Sequence, residues 1–242
     1  MLNIVIPMAG KGSRFENAGF KKSKPFIDVN GEPMIKKVID NLSIQDSIYT
    51  LICRSEHKSD LLSALDSLNS KKEINIVTLD HITEGTLCTL LEAREFISND
   101  QPMLVANSDQ LVDINLSDFI NDAYQRALSG SILTFIDINQ DPKWSFAKLN
   151  QDQEVIMVKE KEPISEYATV GIYYFSNGNV FVTHAEEMME ANDRQNGEFY
   201  TCPIYNYYIK SNRKVGIYNI KQSEMHGLGT PEDLDLYLEN NA

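Results

Sequence analysis

Apolar positions along the first half of the chain fall into short runs separated by longer periodic stretches. The run at 3–8 is short, β-branched and apolar on both faces, which predicts a buried strand; 48–53 predicts a second, 73–79 a third in which Ile74, Ile76 and Leu79 alternate with other residues, and 102–106 another buried strand. Between them, Met34, Ile35, Val38, Ile39 and Leu42 recur at helical spacing, as do Leu61, Leu62, Leu65 and Leu68. Asn30-Gly31 reads as a turn, with Pro33 placed to take the first helical position. A further helix is expected from Thr86 to Arg94. Strand alternating with helix predicts an α/β fold whose parallel sheet is flanked by helices on its faces.

The texture changes after Gly130. A helix over 117–129, with Phe119, Ile120, Ala123 and Leu128 inward, ends at that glycine. Strand-like stretches then follow at 131–138, 146–150, 154–159 and 168–175, with a hairpin turn at 150–153. Asn177 is positioned to cap a helix reaching Met189, whose Met188-Met189 pair suits core filling. After a strand at 214–220, Thr230, Pro231 and Asp233 supply an oxygen cap, an N1 proline and a first-turn acid for a last helix. One domain over 1–242 is expected, with a first half at 1–130 and a β-rich second half at 131–242.

Charge narrows the partners. The net charge is −13 with no block of five basic residues, which argues against nucleic acid and anionic membrane surfaces. Cys53, Cys88 and Cys202 are scattered and lack C-x-x-C spacing, so neither a zinc site nor a disulfide framework is indicated. The apolar run at 4–8 is too short for a signal segment or a membrane span, and a soluble, cytoplasmic protein is expected.

Against this acidic background one stretch concentrates positive charge. The first strand opens into Met8-Ala9-Gly10-Lys11-Gly12-Ser13-Arg14-Phe15, and Lys24-Pro25 follows ten positions after Arg14. Gly10 and Gly12 allow positive φ and close backbone approach, so that N–H groups converge on oxyanions while Arg14 and Lys24 add full charges. This is a phosphate cradle. It is neither the dinucleotide fingerprint, since Phe15 stands where a third glycine belongs, nor a P-loop. Asp109, just past the strand at 102–106, stands where a Mg²⁺ carboxylate belongs in an open α/β sheet.

The series G-x-G-S-R-F followed by K-P-F-I-D-V-N-G-E-P-M-I resembles the signature of the sugar-phosphate nucleotidyltransferases. The resemblance implies a Rossmann-like fold and transfer of a nucleotidyl group from an NTP to a phosphorylated small molecule, with Mg²⁺ and release of pyrophosphate, in polysaccharide precursor synthesis. It implies a nucleotide site at Met8, Ala9, Gly10, Gly12 and Ser13, with Arg14 on the pyrophosphate, Lys24 on the α-phosphoryl oxygens and Asp109 on the metal. Thr83, Glu84, Gly85 and Thr86 match the base-recognising loop by position, and a side-chain cap from Thr83 or Thr86 is the equally open reading. Val158-Lys-Glu-Lys-Glu-Pro163 resembles the family's E-K-P element, which makes Glu160 and Lys161 acceptor contacts, while Gly171 would admit the acceptor close to the backbone.

Two departures follow from the same resemblance. Gly227 replaces the second metal aspartate in a W-x-D-x-G-T-P-E-like segment, with His226 beside it and Glu224 able to substitute only if the loop shifted. Tyr200 and Pro203 stand where sugar-specific members carry acids, so CTP-dependent activation of a non-sugar phosphate is an alternative. A glycosyltransferase and a non-catalytic homologue are further alternatives, and a homo-oligomer is compatible with the sequence.

Overall fold

The computed structural model describes residues 1–68 and 72–241; Ala242, the last residue of the expected domain, lies outside them. Strand β1 (Leu2–Pro7) is buried at every position and sits inside the sheet. The glycine loop leads through α1 (Ser13–Asn17) to a 3-10 turn at Lys24–Phe26. The ribbon of β2 (Asp28–Val29) and β3 (Glu32–Pro33) then turns at Asn30 and Gly31, with φ of 53° and 84°. Pairing in that ribbon holds Pro33 extended at ψ 139°, so α2 (Met34–Asn41) starts one residue later than expected.

Next come β4 (Ser47–Arg54), α3 (Lys58–Leu65), β5 (Glu73–Leu79), α4 (Thr86–Leu91), α5 (Arg94–Ile97) and β6 (Met103–Ala106). The helix expected over 86–94 is thus interrupted, with Ala93 leaving helical geometry at ψ 16°. Strands β6, β1, β4 and β5 lie side by side and parallel. Their alternating side chains divide two cores: Ile4 and Ile6 pack with α2 and α3 on one face, Val5 with α4 on the other.

The rest of the chain adds β7 (Gln110–Val112), α6 (Leu116–Gln125), β8 (Gly130–Ile136), β9 (Phe146–Leu149), β10 (Val155–Lys159), β11 (Tyr167–Phe175), α7 (Gly178–Glu190), α8 (Tyr205–Lys210), β12 (Val215–Ile220), β13 (Met225–Gly227) and α9 (Pro231–Asn240). Helix α6 is capped by Asn115 rather than Ser117, and it ends at Gln125 because Ala127 turns to φ 51° and Leu128 N bonds back to Ala123 O at 2.9 Å. Asn177 and Thr230 cap their helices as expected, each accepting a backbone N–H.

Among the described residues the main sheet has nine strands, and β11 joins its halves. One edge of β11 pairs with β8, at Tyr167–Thr169 and again at Tyr173–Phe175, and β8 is parallel to β12. Its other edge pairs with β9 near Tyr167 and with β6 from Ile172 onward. Between the two partners lies Gly171 at φ 90°, at a break in register. The sheet forks there. Strands β7 and β13 form a separate antiparallel ribbon in front of the fork, which the sequence pattern did not reveal.

Candidate active site

Gly12, at φ 67°, is the N-cap of α1, and a Cβ there would stand 3.2 Å from the Lys24 Cβ. The glycine therefore lets the lysine turn close over the loop. Phe15 is buried beneath, while Arg14 is exposed at the rim. Lys24 Nζ makes an ion pair with the Asp109 carboxylate, both side chains being 19% exposed. Asp109 is held from its backbone as well, because Leu228 N donates to its carbonyl at 2.7 Å. The β7–β13 ribbon thus fastens the loop of Gly227 and Gly229 against the metal-ligand candidate.

A single cleft of about 690 Å³ runs from this cradle to the fork. Met8, Gly10, Gly12, Ser13, Arg14, Lys24 and Thr86 line its first end, Asp109 its middle, and Glu160, Lys161 and Gly171 its far end. Eleven of the residues selected from the sequence therefore share one wall-to-wall space. Ala9 does not line it, being 4% exposed and packed into the core under α4.

Residues 83–85 do not line it either. Thr83 Oγ1 is 2.6 Å from Thr89 Oγ1 and donates to Gly85 O, and Glu84 pairs with Arg194. Neither Thr83 nor Thr86 caps α4. Its N-cap is Gly85, and Leu87 N donates instead to Phe199 O at 3.0 Å.

At the far end, the Glu160 carboxylate accepts from Ser145 Oγ. Burial pushes its pKa up, against the lowering effects of that hydrogen bond and of Lys161. Lys161 holds a left-handed backbone at φ 54°, and its Nζ donates to the Tyr200 hydroxyl at 2.8 Å while lying 4.5 Å from the ring centre. At Gly171 a Cβ would meet Asn107 Nδ2 at 2.3 Å, so only glycine lets the strand tip and the fork close on each other. Gln110 Oε1, buried nearby, has no hydrogen-bond partner among the described residues.

Sequence reasoning missed several lining residues. Lys143, Trp144 and Ser145 belong to no recognisable motif, Tyr173 and Glu198 lie in stretches that resemble the family without standing out in them, and the sequence offers Asp233 only as a first-turn acid. Yet a Cβ on Gly227 would have the Asp233 carboxylate alone within reach, at 3.9 Å. Glu224 instead accepts from Lys221 N at 2.8 Å, and His226 Nε2 lies 2.7 Å from Asp113 Oδ2; neither lines the cleft. Among the described residues no group of three or more His, Cys, Asp or Glu is assembled. The acids present suit Mg²⁺, which takes one or two protein carboxylates beside substrate phosphates.

A family model described as Nucleotidyl transferase matches residues 4–233. The bifunctional protein GlmU of Methanococcus aeolicus is 25% identical over 96% of this chain and 53% of its own length. The UTP–glucose-1-phosphate uridylyltransferase AglF of Haloferax volcanii is 23% identical over 97% of this chain and 94% of its own. The chain spans about half the length of the GlmU relative, 53%.

Among solved structures, a nucleoside-diphosphate-sugar pyrophosphorylase from Vibrio cholerae RC9 superposes with a TM-score of 0.83, at 23% identity, covering 98% of this chain and 99% of that one. The inositol-1-phosphate CTP transferase from T. maritima reaches 0.74 at 13% identity, covering 97% and 93%. These likenesses establish a shared fold.

Proposed function

The chain belongs to the nucleotidyl transferase family, and from that membership we propose that it transfers a nucleotidyl group from an NTP to the phosphate of a small molecule, releasing pyrophosphate. The observation that carries this reading is the single cleft in which a cationic cradle and the Lys24–Asp109 pair face Glu160 and Lys161. A phosphate monoester, with a second pKa near ~6, is largely a dianion at neutral pH and needs no general base. Its oxygen forms a bond to the α-phosphorus as the bond to the β-phosphate oxygen breaks, and the electron pair leaves with pyrophosphate.

The protein's task is placement and charge neutralisation. Lys161 holds the acceptor phosphate, Lys24 the α-phosphoryl oxygens, and Arg14 the departing pyrophosphate. Asp109 and Asp233 are the carboxylates that would hold Mg²⁺, which when bound neutralises the triphosphate. A sugar 1-phosphate is the first acceptor to test, as in the name of AglF. Tyr200, holding Lys161 at 2.8 Å where sugar-specific members carry an acid, supports a second reading with CTP and a non-sugar phosphate.

The test is pyrophosphate release from a matrix of ATP, GTP, CTP, UTP and dTTP against glucose 1-phosphate, inositol 1-phosphate and phosphocholine. At least one pair should turn over. Arg14→Ala and Lys24→Ala should each cost about ten- to a hundredfold, the worth of a charge-assisted contact, with the fold intact. Near-normal release in Lys24→Ala would remove the central assignment.

A further inference from the structure

Between α7 and α8 the chain makes a tight turn in which Gln195 and Glu198 exchange both backbone hydrogen bonds, at 3.0 Å each, around Asn196 and Gly197. The extended stretch leaving it alternates. Glu198 and Tyr200 face the cleft, while Phe199 points into the core beneath α4 and is 2% exposed. The Phe199 backbone is pinned to the loop before α4: its N–H donates to Glu84 O at 2.8 Å, and its carbonyl accepts from Leu87 N at 3.0 Å.

Gly85 makes that approach possible, since a Cβ there would stand 2.3 Å from the Phe199 carbonyl oxygen. Arg194 closes the contact from outside. Its guanidinium donates to the Glu84 carboxylate and, at 3.1 Å, to Gly197 O, and it stacks 4.1 Å from the centre of the Phe199 ring. At the other end of the stretch Tyr200 holds Lys161. One short segment therefore grips the loop at 83–86 with one residue and the acceptor-facing lysine with the next.

We propose that residues 194–200 are a strap that sets the position of the loop at 83–86 and ties it to Lys161, with Arg194 as its positioning residue. Thr83 and Glu84 already spend their side chains within the protein, and the carbonyls of Glu84 and Gly85 accept from Phe199 N and Thr89 N, so what this loop offers a nucleotide base is Thr86, the residue of it that lines the cleft. A contact group discriminates only where it is held in place. Nucleotide affinity then depends on Arg194 and Lys161, though neither side chain is placed on the nucleotide. The inference rests on the reading of residues 83–86 as the base-facing loop.

Calorimetric titration with the five nucleoside triphosphates in Mg²⁺, and separately with inorganic pyrophosphate, tests it. Arg194→Met should weaken the best-bound nucleotide by about three- to fivefold, the reach of a partly exposed ion pair, and leave pyrophosphate affinity unchanged because the cradle is untouched. Glu84→Gln should match it, the double variant should be no worse than either, Arg194→Lys should recover part of the loss, and Lys161→Met should weaken nucleotide binding by about twofold. Unchanged nucleotide affinity in Arg194→Met, an additive double variant, an unmoved Lys161→Met, or pyrophosphate weakening in step would each overturn the strap while leaving the site reading intact. Wild-type protein that binds pyrophosphate but none of the five nucleotides would overturn the base-loop reading, and the strap with it.

Discussion

Gly227 and Asp233 exchange roles that a motif would assign to one position. The glycine carries no carboxylate, but the space its side chain would enter is faced by the Asp233 carboxylate at 3.9 Å, on the first turn of α9. Asp233→Asn should therefore resemble Asp109→Asn, each raising the Mg²⁺ needed for half-maximal turnover by about tenfold and recovering in part at high Mg²⁺, while Glu224→Gln and His226→Ala change little. A Mg²⁺ titration of the four variants decides it; an Asp233→Asn curve that overlays wild type returns the site to a single carboxylate. Such substitutions in space are invisible to spacing along the chain. Arg14 and Lys24 were legible because they follow the glycine loop in a motif continuous along the chain, and Asp109 because it lies just past a buried strand, whereas Asp233 is brought in by a helix whose docking no local pattern encodes.

Glu160 makes a second case at the same scale. Burial raises its pKa, so the folded protein binds its proton more tightly than the unfolded chain does. Its stabilising contribution is complete below the unfolded carboxylate range and is lost as pH rises through the folded value. Glu160→Gln should accordingly melt higher than wild type at neutral pH, lose that advantage below the ordinary carboxylate range, and turn over more slowly at both. Thermal melts across pH check the sign; equal melting temperatures at neutral pH would show that Ser145 and Lys161 fully offset the burial.

Elements with a local signal were readable, and those defined by distant pairing were not. The Asn30-Gly31 turn and the caps at Asn177 and Thr230 depend on neighbours a few residues away, and all three stand as the sequence predicts. The β7–β13 ribbon joins two three-residue strands far apart in the chain, too short for any periodicity to register. Helix α9 shows how a cap reaches chemistry: Asp233 N donates to Thr230 Oγ1 at 3.1 Å, so the cap orders the turn that presents the Asp233 carboxylate. Thr230→Ala should cost about 1 kcal/mol in denaturant unfolding and also raise the Mg²⁺ requirement, while Thr230→Ser preserves both. A stability loss without a Mg²⁺ shift would separate the cap from the metal site.

At the scale of the whole molecule, the two halves expected from the change in sequence texture share their interiors. Strand β11 pairs with β6 from the first half and with β8 and β9 from the second. One core mixes Ile4 and Leu104 with Leu133 and Phe146; the other mixes Val5 and Leu90 with Tyr173 and Tyr205. Neither half could leave the other without exposing buried apolar surface at about 25 cal/mol per Å². Unfolding should thus be a single cooperative event, and the protein carries its own reporter. Its one tryptophan, Trp144, lies in the second half, lines the cleft and packs edge-on against Phe135 at 5.3 Å between ring centres. Circular dichroism follows the helices of both halves, whereas Trp144 fluorescence follows the acceptor end alone. In a urea titration the two curves should share one midpoint and one slope. A fluorescence midpoint clearly below the dichroism midpoint would mean that the forked end opens first, making two units of what β11 joins.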